Sequence, residues 1–175
     1  MWVYSKDGNI LIQKRGEDKD IFPGMFDISA AGHIDHTQDT SAIGAALREM
    51  REELGLEISP KELIPFKIRS HQAYISDEEG NIKQKNFEHD YVYFYEVESS
   101  DLKQFNIGLS DMNEQEEGKE KTPEVAGIQF VTVDKLEKDV LENFAKAEKY
   151  PKKLEFVPPM DYWLEVIREI QMRTK

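Results

Sequence analysis

Glu49, Glu52 and Glu53 lie within five consecutive residues of the stretch REMREELGL, residues 48–56. On a helix they would share one arc, where like charges repel. At about 100° per residue, Ile43, Leu47, Met50 and Leu54 form an apolar stripe. Glu49 and Glu53 then sit side by side on its flank, with Glu52 about 60° further round. Carboxylates beside a buried face are partly desolvated, and their repulsion grows as the local dielectric falls. The close basic residues are Arg48 and Arg51, and Arg48 faces Glu52 at i,i+4 spacing. A divalent cation is the natural compensation, and oxygen ligands of this kind suit Mg²⁺ or Mn²⁺. On charge spacing alone, a solvated acidic helix face is the plainer alternative.

The elements that would position these residues can be read on either side. Trp2 to Tyr4 and Ile10 to Arg15 read as strands joined by the turn Lys6-Asp7-Gly8-Asn9. A loop through Gly16 to Gly24 leads to a short strand predicted over Phe26 to Gly32. Asp39, Thr40 or Ser41 can cap a helix running to about Leu54, and Gly55 supplies a left-handed stop. Strands follow over Leu63 to His71, Phe87 to Val97 and Val125 to Val133, with a hairpin turn near Asp77 to Asn81. Asp111 to Lys121 is a charged loop. Asp134 to about Lys149 reads as helical. Pro158-Pro159 precedes a helix from Asp161 to about Met172 that turns Trp163, Ile167 and Ile170 to one side. Strands and helices without strict βαβ alternation, and no Gly/Ser/Pro-rich linker, indicate one α+β domain over residues 1–175, with the helical portion from about residue 134 packed on it.

Gly32-His33 and the segment Arg48-Glu49-Met50-Arg51-Glu52-Glu53-Leu54-Gly55-Leu56 together resemble the Nudix box, G-x5-E-x7-R-E-U-x-E-E-x-G-U with U aliphatic. The second half matches at every specified position. The first half departs: fifteen residues separate Gly32 from Arg48, two more than the pattern allows, so Thr40 occupies the slot of the first glutamate and Asp39 is the nearest acid. The resemblance implies an α/β/α sandwich with a mixed sheet and a catalytic loop-helix-loop. It further implies metal-dependent hydrolysis of a diphosphate bond in a small organic, nucleoside-type diphosphate. Glu49, Glu52 and Glu53 would hold the Mg²⁺ or Mn²⁺, Arg48 would orient them, and the Gly32 carbonyl would join the shell. Glu116, Glu117, Glu120 and Glu124 are candidates for a further metal or base glutamate, with Glu124 preferred.

The stretch QKRGEDKDIFPGMFDISAAGHID, residues 13–35, is similar to the Nudix subgroup related to isopentenyl-diphosphate isomerase. That likeness implies that Arg15 and Lys19 bind the substrate diphosphate; the alternative is two solvated surface cations. The isomerase needs a cysteine where this chain has Ala31, and the chain has no cysteine anywhere, so isomerase activity is not expected. A non-catalytic binding module is the other rival. His33 reads as a buried structural histidine in preference to a metal ligand, and His71 and His89 as structural or exposed.

A net charge of −12 repels polynucleotide backbones and anionic lipid, so neither long nucleic acid nor membrane is an expected partner. No apolar run reaches the roughly 20 residues that span a bilayer, and MWVYSKDGN is unlike a secretory signal. The expectation is a cytoplasmic protein. Relatives in the subgroup usually carry further N-terminal residues, and an exposed strand edge at this start would favour a homodimer.

Overall fold

The computed structural model describes residues 1–76, 82–105, 124–150 and 154–175. Strands β1 (Trp2–Ser5) and β2 (Asn9–Arg15) form a hairpin whose turn carries Gly8 at φ 81°. β3 (Phe26–Asp27), β4 (Leu63–Ser76), β5 (Ile82–Val97) and β6 (Val125–Thr132) complete one sheet, with the path β3-β2-β1-β5-β4 and β6 paired to β2. β1 runs parallel to β5 and the other pairings are antiparallel, so the sheet is mixed. β1 lies inside the sheet, between β2 and β5, which removes the exposed N-terminal edge as a reason to dimerise.

Side chains alternate across a strand, and β1 feeds two cores in this way. Trp2 and Tyr4 join Ile10, Ile12, Val92 and Phe94 beneath helices α2 (Val133–Lys149) and α3 (Met160–Arg173). Val3 joins Leu11, Tyr93 and Tyr95 beneath helix α1 (Ala42–Leu54). The result is a helix–sheet–helix sandwich. On the α3 side, Trp163, Val166, Ile167 and Ile170 are buried, and Trp2 packs edge-on against Trp163 at 5.2 Å between ring centres.

The strand predicted over Phe26 to Gly32 stops at Asp27. Beyond it, Ser29 takes over the ladder's work with its side chain. Its hydroxyl accepts from the Val3 N–H at 2.7 Å and donates to the Leu11 carbonyl at 2.6 Å. The segment thereby crosses β1 and β2 and delivers Ala31 and Gly32 to the edge of α1. In β4 the register slips between Pro65 and Lys67, a bulge that reverses which side chains face α3.

Candidate active site

Helix α1 is set by its ends. Of the three possible caps, Ser41 is the one used: its Oγ accepts from the Gly44 N–H at 3.1 Å. Gly55 closes the helix at φ 68°, with the Leu56 N–H reaching back to the Met50 carbonyl at 3.1 Å. The inward face differs from the predicted stripe. Ile43 is exposed and Leu47 half-buried, whereas Ala46, Met50 and Leu54 are buried together with Glu49 and Glu53. The helix is rolled so that two carboxylates sit on its inner side, not on the flank.

Glu53 is held at the end of the Ser29–Gly32 segment. Its carboxylate accepts from the Ala31 N–H at 2.9 Å and from Gln13 Nε2 at 3.4 Å. Burial pushes its carboxyl up to about 8, with Glu49 adding to the effect and the Ala31 N–H opposing it. Glu49 is also raised by burial; Arg48 counteracts this, while Glu52 and Glu124 reinforce it. A Cβ on Gly32 would overlap the Glu49 carboxylate, so only a glycine lets the main chain lie against that group.

Arg48 binds the cluster together. Its Nη1 pairs with Glu49 at 2.7 Å and Glu52 at 2.9 Å, and its Nη2 donates to the His33 carbonyl at 2.9 Å. Nε and Nη2 also grip Asp39, at 3.2 and 2.9 Å. Asp39 is itself buried, accepts from the Asp35 N–H at 2.8 Å, and is held below the usual carboxylate range by Arg48. Asp39, one position before the slot of the first glutamate, thus reaches the helix from the lengthened loop, and Thr40 stays exposed. His33 is exposed and not the buried histidine expected; its contribution here is the carbonyl that Arg48 holds.

Arg15 and Lys19 both stand near this cluster, each with a partner. Arg15 pairs with buried Asp27 at 2.8 Å and donates twice to the Ile21 carbonyl. Lys19 pairs with Glu124 at 2.8 Å, and the Gly16 N–H donates to the Glu124 carbonyl at 2.8 Å. Glu116, Glu117 and Glu120 lie outside the described residues. Gln13, Asp27 and the Ala31 N–H were not singled out from sequence as site groups. Nothing local marks them, because strand pairing is what places Gln13 opposite Asp27.

The NUDIX domain pattern matches residues 1–154, and the chain belongs to the Nudix family. An uncharacterized Nudix hydrolase of Clostridium acetobutylicum is 36% identical over 100 residues, covering 55% of this chain and 45% of that protein. An isopentenyl-diphosphate Δ-isomerase of Salmonella paratyphi B is 32% identical over 81 residues, covering 46% of this chain and 41% of that protein. The chain therefore spans less than half the length of either of these curated relatives. A crystal structure from Deinococcus radiodurans superposes over 97% of this chain and 78% of that one, with a TM-score of 0.53 at 18% identity, a likeness of fold. Among the described residues, no helix is long and apolar enough to cross a membrane.

Proposed function

We propose that this chain hydrolyses the phosphoanhydride bond of a small organic diphosphate, of nucleoside type, with the help of a divalent cation. The observation that carries this reading is the pair of buried carboxylates, Glu49 and Glu53, turned toward the main chain at Ala31 and Gly32. Three carboxylates, those of Asp39, Glu49 and Glu52, around the guanidinium of Arg48 leave an excess of negative charge in a partly dry site. All the donors are hard oxygens, which fits Mg²⁺ or Mn²⁺.

Glu49, Glu52, Glu53 and the Gly32 carbonyl would hold the cation. Bound there, it would supply neutralisation of charge on the scissile phosphates and a water of lowered pKa. Arg48 fixes Glu49 and Glu52, so that little reorganisation remains when substrate arrives. Asp39 fixes Arg48 in turn, which answers the loss of the first glutamate and weakens the case for a binding module. Arg15 and Lys19 would grip the diphosphate, Lys19 exchanging its Glu124 partner for a phosphate oxygen. Glu124, once released, would join the cation or take a proton. In place of the isomerase cysteine, Ala31 offers only its N–H, which is engaged by Glu53.

The test is product release from a panel of nucleoside and other organic diphosphates with Mg²⁺, Mn²⁺ or EDTA. Cation-dependent cleavage of one class is expected, abolished in Glu53→Gln. Cation binding by calorimetry without cleavage of any member would favour the binding module.

A further inference from the structure

The face of the sheet turned away from α1 carries a second group of metal-type donors. The bulge after Pro65 reverses the parity of β4, bringing Lys67, Arg69 and His71 to the α3 side. There His71 pairs across the ladder with Glu88, and Arg69 with Asp90. His71 Nε2 stands 3.3 Å from Glu88 Oε2, and its Nδ1 3.2 Å from Asp90 Oδ2. Taking one donor atom from each residue, all three lie within 4.8 Å of one another. Nδ1 is shut off from solvent and makes no hydrogen bond despite its nearness to Asp90.

We propose that His71, Glu88 and Asp90 form a second divalent-cation site, of the transition-metal class, separate from the glutamates of α1. Two features support this assignment. First, ligands on a tetrahedral ion with bonds of about 2.0–2.1 Å stand about 3.3–3.4 Å apart, and each ring nitrogen stands near that distance from one carboxylate, so whichever nitrogen binds has one partner already in place and the other within 4.8 Å. Second, the donors are one imidazole and two carboxylates, a mixture that suits Zn²⁺ or Mn²⁺ better than the all-oxygen set preferred by Mg²⁺. A cation takes one of the two ring nitrogens, and the other carboxylate closes by a small side-chain rotation. Three protein ligands leave a position open for water or an anion. Arg69, 3.5 Å from Asp90 and stacked 4.6 Å over the Tyr162 ring, stands beside it to pair with such an anion.

The competing arrangement needs no metal: a protonated His71 bridging the two carboxylates, with Arg69 supplying the remaining positive charge. Zn²⁺ binding to the full chain separates the two. Stoichiometry is read by elemental analysis and affinity by competition with a chromophoric chelator, in a Glu49→Gln/Glu53→Gln background that silences the α1 cluster. One equivalent is expected in that background, and adding His71→Ala or Glu88→Gln should weaken it at least tenfold. Glu88→Gln is nearly isosteric, so it decides the matter if His71→Ala fails to fold by circular dichroism. Zn²⁺ affinity unchanged by Glu88→Gln, or no Zn²⁺ bound in the background, overturns the site. Neither readout requires turnover, so the result stands apart from the fate of the hydrolase assay.

Discussion

Replacing Glu53 by Gln should abolish turnover and yet stabilise the cation-free protein. The carboxyl's ordinary value of 4.5 rises to about 8 in the fold, chiefly through burial. Because the folded value is the higher one, the unfolded chain ionises this group first. Its contribution to stability is intact below about pH 4.5 and is lost progressively as pH climbs toward 8. At pH 7 the loss amounts to at most about 3 kcal/mol, from 1.36 kcal/mol per pH unit. Glutamine carries no charge at any of these pH values. It keeps an oxygen for the Ala31 N–H but adds an NH₂ needing a partner beside Gln13, which returns about 1 kcal/mol. A net gain of about 2 kcal/mol raises Tm by about 4–8 °C for a chain of this size. Thermal melts in EDTA at pH 5 and pH 8 measure it. The gain should be clear at pH 8 and nearly absent at pH 5, and Mg²⁺ should raise the Tm of the parent protein at pH 8 but not that of the variant. A variant that melts lower than its parent at pH 8, or gains equally at both pH values, would refute the account of Glu53 as a carboxylate kept in a dry site for a cation.

Asp39→Ala leaves two of the Arg48 N–H groups without their acceptor. Because Glu49 and Glu52 still hold the guanidinium, the expected cost is about 2 kcal/mol, visible as a lower Tm, and kcat should fall more than KM rises. Gly32→Ala should keep the fold, because the position is exposed and its φ is not in the left-handed region. The new methyl group must expel the Glu49 carboxylate, so cation affinity and activity should each drop by about a hundredfold, checked by calorimetry and initial rates. Lys19→Ala breaks a half-exposed pair with Glu124 and should change stability by less than about 1 kcal/mol. Its effect should appear in KM for the diphosphate, and an unchanged KM would remove Lys19 from the substrate site.

Much of α1 was legible in the sequence because its determinants are local. Ser41 and Gly55 mark its ends through hydrogen bonds within a turn of the helix, and the spacing of Arg48, Glu49, Glu52 and Glu53 is fixed by helical geometry. The same holds for α3, whose buried Trp163, Ile167 and Ile170 follow the period predicted for them. The roll of α1 was not legible, since Ile43 and Leu47 are as apolar as Ala46, and only contact with β1 and Leu11 selects the inner face. Nor was the early end of β3, where a serine hydroxyl replaces ladder bonds across two strands distant in sequence.

Composition and local spacing by themselves determined that carboxylates would gather on one helix beside a basic residue, and that helix caps and turns would hold it there. The tertiary structure alone decided that Asp39 would grip Arg48, and that His33 would face solvent. It also decided that His71 would meet Glu88 and Asp90. Each of these depends on a loop path or a strand register, and a single bulged residue in β4 sends Lys67, Arg69 and His71 to the α3 face of the sheet.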